Sequence, residues 1–222
     1  MSDHNDDTLR SRLRGLRVFS EDLPTFDPAS APDQPAELFV EWLTAAIEAG
    51  VPGPHAMTLS TVDAEGRPNA RVLILKDVQD GRWQFATTRT STKGRELDAT
   101  PAAALTFHWP QLARQVRLRG RVLDAGPEAA ARDFLARPDG SRAESLVGRQ
   151  SQVLREEADL DGALEEARSR VSADPELVPE AWVVYDLVPD EIEFWQGEAH
   201  RRHVRLRYVL REHRWVRERL WP

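Results

Sequence analysis

Between residues 35 and 50 apolar side chains recur at the spacing of one helix face. Leu38, Phe39, Trp42, Leu43, Ala46 and Ile47 form the stripe, Asp33 is placed to cap it, Pro35 suits its first turn and Gly50 stops it. From Ala56 the period changes. AMTLSTVD (56–63), NARVLILKD (69–77) and RWQFATT (82–88) are short β-type runs separated by turn signals at Ala64-Glu65-Gly66 and Gln79-Asp80-Gly81, a pattern that predicts an antiparallel meander. STKGRELDATP then predicts a short helix capped by Ser91 and stopped by Pro101. Two further strands follow, AAALTFHWP and RQVRLRGRVLD. In the second, Val116, Leu118 and Val122 face one way and Gln115, Arg117, Arg119 and Arg121 the other, so one face is core and its reverse polar. Residues 127–137 and 159–171 read as helices joined by a polar connector, and the tail returns to strands at AWVVYDLVP, EIEFWQ, HVRLRYVL and RWVRERLW.

Closely spaced antiparallel strands with late helices predict a mainly β fold, a small closed barrel with helical additions. Neither a GxGxxG nor a Walker-type glycine loop is present, so a nucleotide-binding βαβ fold has nothing to rest on. Residues 1–32 are polar, then rich in proline and acid, and read as a mobile or extended arm before one domain spanning 33–222. The N-terminus lacks the apolar stretch of a signal peptide, and no segment approaches the ~20 apolar residues of a membrane span, so a soluble, cytoplasmic protein with no membrane partner is expected. A formal charge of −7 argues against general nucleic-acid binding. The chain has no cysteine, which removes disulfides, thiolate metal sites and a cysteine nucleophile. Local arginine clusters therefore need local explanations. The Arg117/Arg119/Arg121 face, for one, carries enough like charge to call for a partner or an anion, with simple solvent exposure as the competing account.

RVLILK (71–76) is an apolar strand bracketed by two cations, and two readings stand: a buried strand whose ends snorkel to water, or two anion contacts. STK (91–93) is either an ordinary helix cap or an anion cradle of hydroxyls, free amides and an ammonium. Gln115 and the RQS of 149–151 are solvated polar residues or partners for a heterocycle's mixed donor and acceptor edge. A solvated strand face accounts for Arg207 and Arg211 but poorly for HRRH (200–203). His200 and His203 fall on opposite faces of an extended strand with no carboxylate companion, so no metal site is expected. A serine triad lacks its Gly-x-Ser-x-Gly turn.

Taken in order, RVLILK, STKGRELDATP, W-x-x-L-x-RQV, ARP-x-x-S, RQS, EFWQG and HRRHVRLRY resemble the pyridoxine/pyridoxamine 5′-phosphate oxidases and their relatives, from about Ala36 to Pro222. The resemblance implies an antiparallel, Greek-key-like split β-barrel, a homodimer, and FMN held in clefts at the subunit interface. It implies that Arg71 and Lys93 meet the FMN phosphate with Ser91 and Thr92 nearby. Val72, Leu73, Ile74, Leu75, Lys76 and Thr87 would line the flavin. Gln115 matches the residue at the ring's polar edge, Gln150 and Ser151 would come from the other subunit, and Trp195 and Arg205 match further FMN contacts. Arg201 and His203 match the catalytic pair that positions substrate, while Lys76, Arg137 and Ser141 match a substrate-phosphate site. The implied reaction converts pyridoxine or pyridoxamine 5′-phosphate to pyridoxal 5′-phosphate with O2 as acceptor and H2O2 as product.

Four positions depart from that pattern. Asp133 replaces a tyrosine at the substrate phosphate, where it repels that group unless it turns away or pairs with Arg137. SEDLPTFDP resembles the arm of the phenazine-biosynthesis flavin oxidases, Thr92 replaces an arginine, and Val183-Val184 replaces a glycine pair. A phenazine-type oxidase of a reduced heterocycle is the second reading. A split-barrel protein that binds flavin, haem or deazaflavin without turnover is the third, and the HRRH segment argues against it.

Overall fold

The computed structural model describes residues 8–19 and 22–222. Eight antiparallel strands form one sheet: β1 (Ala56–Val62), β2 (Pro68–Gln79), β3 (Arg82–Thr88), β4 (Ala102–Trp109), β5 (Arg114–Asp124), β6 (Trp182–Gln196), β7 (Val204–Arg211) and β8 (Arg214–Arg219). Their order is β3-β2-β1-β4-β5-β6-β7-β8, and β3 also pairs with β6, so the first six close into a barrel while β7 and β8 extend it beyond β6. This is the split barrel expected. The helices are α1 (Leu9–Gly15), α2 (Pro35–Glu48), α3 (Thr92–Ala99), α4 (Pro127–Leu135), α5 (Asp139–Leu146) and α6 (Glu157–Ala173).

The core follows the alternation of the strands. Met57, Leu59, Phe85, Leu105, Phe107, Val116, Leu118 and Phe194 point inward, and α2 adds Leu38, Phe39 and Trp42. Phe39 is the hub, its ring centroid 4.8 Å from Phe107 and 5.5 Å from Trp83. Burying such rings gives about 25 cal/mol per Å² of apolar surface, so this cluster dominates the stability of the barrel.

Several local expectations change. Ile47 lies at the edge of the α2 stripe and is 58% exposed. The N-cap of α2 is Gln34, without a side-chain bond, because Asp33 instead reaches Arg217 on β8 at 3.4 Å. AWVVYDLVP and EIEFWQ form one strand, β6; a register shift between Arg119 and Gly120 accommodates Pro189, which has no N–H to offer. A Cβ on Gly120 would lie 2.1 Å from the Val188 carbonyl oxygen, so glycine permits that approach. The polar connector contains α5, whose Ala143 and Leu146 pack on Ala167 and Val171 of α6. Where an extended arm was expected, Thr8 caps α1 by accepting the Ser11 N–H. Residues 1–7, 20 and 21 lie outside the described residues, and with them part of the arm and of SEDLPTFDP.

Two of the three arginines on the Arg117/Arg119/Arg121 face are paired within the chain. Arg117 donates to Glu193 and Arg119 to Glu191 at 3.1 Å, both from the neighbouring β6, and Arg207 of β7 donates to Glu218 of β8. Cross-strand carboxylates neutralise much of that face inside one chain, so it supplies no argument for a partner.

Candidate active site

The first constellation forms where β2 meets α3. Ser91 caps α3: its Oγ accepts the Gly94 N–H at 3.2 Å and donates to the Thr88 carbonyl at 2.8 Å. Residue 94 must be glycine, since a Cβ there would lie 2.2 Å from the Arg89 carbonyl oxygen. The buried Lys93 side chain donates from Nζ to Ser91 Oγ at 3.2 Å and to Gln150 Oε1 at 2.9 Å. Burial, and then the adjacent Arg71 guanidinium, push the Lys93 ammonium down to about 8 against the opposing pull of Glu96. Arg71 donates to Thr61 Oγ1 and, at 3.1 Å, to Glu96 Oε2. Burial alone would raise the Glu96 carboxyl, but hydrogen bonds from Thr61 and Asn69 and the charge of Arg71 hold it below the usual range. Thr92 N–H reaches Ser151 Oγ at 3.5 Å. The RQS residues, which the resemblance assigns to the facing subunit, thus meet the Lys93 end of their own chain, because the turn after α5 folds back over α3.

Lys93, Gln150, Leu73 and Thr87 line a cleft of about 490 Å³, and so do Arg137 and Trp182. Arg137 lies 4.4 Å above the Trp182 ring and donates to the Ser141 carbonyl at 3.1 Å and Ser145 Oγ at 3.0 Å. Its Nε is buried without a partner. Ser141 therefore serves here through its carbonyl. Ser145 and Trp182 were not singled out from sequence, although Ser145 lies four residues beyond Ser141, on the same face of α5. Asp133 does not pair with Arg137. Its carboxylate accepts from Lys76 Nζ at 3.0 Å and from Trp182 Nε1 at 3.0 Å.

RVLILK is neither fully buried nor uniformly cleft-facing. Val72 is 66% and Ile74 42% exposed and, by strand alternation, lie on the opposite face of β2 from Arg71 and Leu73, while the Leu75 side chain is in the core, which leaves its backbone for any ligand contact.

A second constellation lies across β5, β6 and β7. Gln115 is opposite Trp195, and Trp195 opposite Arg205, so the three share one row. Arg205 donates to Glu193 Oε1 at 2.8 Å and to the Trp221 carbonyl at 2.9 Å. The His203 ring packs 5.1 Å from Trp195 and 5.7 Å from Phe19. Arg201 holds a left-handed backbone, φ 63°. Arg201 and His203 line a cleft of about 550 Å³ with Arg219 and Trp221, and it shares no lining residue with the first. One chain therefore brings together the residues around Lys93 and Arg137, and separately those around Trp195 and His203, without uniting the two sets.

A family model described as pyridoxamine 5′-phosphate oxidase matches residues 43–171, and one described as the pyridoxine 5′-phosphate oxidase C-terminal dimerisation region matches residues 182–222. Proteins named pyridoxine/pyridoxamine 5′-phosphate oxidase from Pseudomonas fluorescens (strain SBW25) and Pseudomonas putida (strain W619) are 44% and 43% identical over 196 residues, 87% of this chain and 91% of theirs. The crystal structure of PhzG from Burkholderia lata 383, in complex with tetrahydrophenazine-1-carboxylic acid, superposes with a TM-score of 0.85 at 30% identity, over 90% of this chain and 99% of that one. A pyridoxamine 5′-phosphate oxidase-related, FMN binding protein from Nostoc punctiforme PCC 73102 shares the fold, with a TM-score of 0.70 at 18% identity over 90% of this chain and 100% of that one. The chain, with its split barrel, belongs to the pyridoxamine 5′-phosphate oxidase family of oxidoreductases.

Proposed function

We propose that the protein is a homodimeric FMN-dependent oxidase of pyridoxine or pyridoxamine 5′-phosphate, forming pyridoxal 5′-phosphate. The residues present fit FMN. A buried ammonium held down to about 8 beside Arg71 is a cationic site stabilised by an added phosphate, and Leu73, on the Arg71 face of β2, lines the same cleft as Lys93. The row Gln115, Trp195 and Arg205 supplies a hydrogen-bonding edge, an aromatic contact and a second cation. FMN when bound accepts a hydride from the substrate carbon, and dioxygen takes up the electrons to give hydrogen peroxide.

The single observation that carries the substrate reading is Arg137, a guanidinium with an unpartnered buried Nε in the same cleft as Lys93. Two cationic poles in one cleft suit a phosphorylated cofactor and an anionic substrate together. Arg201 would cover the substrate ring and His203 hydrogen-bond its reacting substituent. Because those two residues lie in a separate cleft inside the matched dimerisation region, a two-fold dimer that sets one protomer's second cleft against its partner's first would complete the site.

The test is to purify the protein, identify the released flavin, size the particle, and run a peroxide-coupled assay with pyridoxine 5′-phosphate, pyridoxamine 5′-phosphate and dihydrophenazine carboxylates. Bound FMN, a dimer and preferential turnover of the B6 phosphates are expected. A colourless protein that FMN does not reconstitute, or a flavin-bearing monomer, would refute the cofactor or interface reading. Asp133 favours one second reading. By engaging Lys76 it lowers the positive charge available to a dianionic phosphate, which suits a heterocyclic carboxylate of the phenazine type.

A further inference from the structure

The loop joining β6 to β7 is organised by one residue on which the sequence pattern placed no weight. Glu198 makes four polar contacts within five residues. Its carbonyl accepts the Arg201 N–H at 3.0 Å, its carboxylate accepts the Arg202 N–H at 3.0 Å and lies 3.0 Å from His200 Nδ1, and its own N–H donates to His203 Nδ1 at 3.1 Å. We propose that Glu198 is the positioning residue of the Arg201–His203 pair, holding the Arg201 backbone in its left-handed turn and His203 in the tautomer that carries its proton on Nε2. The proposal rests on the role given above to Arg201 and His203.

Two physical arguments carry it. A non-glycine residue at φ 63° is strained and persists only where its surroundings hold it, and the bonds that bracket Arg201 both end on Glu198. A neutral imidazole has one N–H. The direction of a backbone N–H is set by its peptide plane, so Nδ1, which accepts it, is the unprotonated nitrogen and Nε2 the protonated one. Trp195 and Phe19 pack against the ring and restrict its rotation. At Nε2, His203 then donates to a lone pair on the substrate's substituent and cannot withdraw a proton there. The Glu198 carboxyl is itself held below its ordinary range, chiefly by the Arg202 N–H and then by His200, so the loop keeps its anionic clasp.

Holoenzyme of wild type, Glu198→Ala, Glu198→Gln and His203→Asn should be compared by steady-state kinetics, alongside 15N spectra of histidine-labelled protein. The wild type should show His203 with Nδ1 unprotonated; a protonated Nδ1 overturns the proposal without reference to any substrate. Glu198→Ala keeps the main-chain bonds to Arg201 and His203 but removes the carboxylate's hold on the Arg202 N–H and His200, so it should retain FMN, loosen the turn that aims the residue-198 N–H at His203, lower kcat about 10-fold or more with KM changed less, and mix the two His203 tautomers. Glu198→Gln, whose amide oxygen still accepts the Arg202 N–H, should recover most of kcat. Wild-type kcat in Glu198→Ala overturns the proposal even if His203→Asn is inactive. Full activity in His203→Asn instead defeats the underlying role of the histidine.

Discussion

Replacing Asp133 with asparagine tests the charge logic of the cleft. The carboxylate is 3.0 Å from Lys76 Nζ, and the two side chains are 16% and 31% exposed, so the pair lies between solvent and interior. A substrate phosphate held by Arg137 and Lys76 would lie about 4–6 Å from Asp133, where two unit charges interact by ~1 kcal/mol in water and ~4 kcal/mol at an effective dielectric constant near 20. For this half-open site the repulsion amounts to about 1–2 kcal/mol per unit charge, or about 5- to 30-fold in affinity. Asparagine removes the charge, frees Lys76, and keeps an oxygen that can accept the Trp182 N–H.

Peroxide-coupled kinetics should therefore show KM for pyridoxamine 5′-phosphate, whose phosphate carries about two charges, falling about 30-fold or more in Asp133→Asn, with kcat and FMN content little changed. Unphosphorylated pyridoxamine should gain nothing, and a carboxylate substrate, with one charge in place of two, should gain less. A KM unchanged for the phosphorylated substrate, or lowered equally for the unphosphorylated one, would refute the reasoning.

The Lys93 ammonium, held down to about 8 in the free protein, is raised by a bound phosphate, so FMN affinity should be level below about pH 8 and weaken as pH rises above it while riboflavin affinity stays flat; flavin-fluorescence titrations check this, and a flat FMN profile contradicts it. Arg137→Ala should raise KM for the phosphorylated substrate by about 10- to 150-fold, the value of a charge-assisted hydrogen bond of ~1.5–3 kcal/mol, with flavin content intact by absorbance. Gly94→Ala forces a Cβ against the Arg89 backbone and should cost about 1–3 kcal/mol, seen calorimetrically as a Tm lowered by ~2–12 °C.

Local periodicity made the barrel legible. Each strand of the meander and the inward set Val116, Leu118 and Val122 are where alternation puts them, and Ser91 caps its helix as its hydroxyl suggests. The same rules miss what depends on remote partners. Ile47 satisfies the α2 period, yet among the described residues no element covers it. The α5 helix hid in a polar stretch because its stability comes from Ala143 and Leu146 meeting α6, which composition alone does not announce.

Charge shows the limit most clearly. Arg117 and Glu193 are 76 residues apart in the chain, and only strand register makes them opposite. Read along one strand, Arg117, Arg119 and Arg121 are a repelling row that demands a partner molecule; read across the sheet, the row Arg117, Glu193, Arg207 and Glu218 alternates in sign and is its own partner. Asp133 follows the same rule. From sequence its obvious counter-ion is Arg137, one helical turn away, but β2 passes close enough for Lys76 to take it, which leaves Arg137 to stack on Trp182. That exchange of partners leaves Arg137 in the cleft and occupies Lys76, and so it is the barrel's topology, more than the list of cationic residues, that decides which cations remain unneutralised.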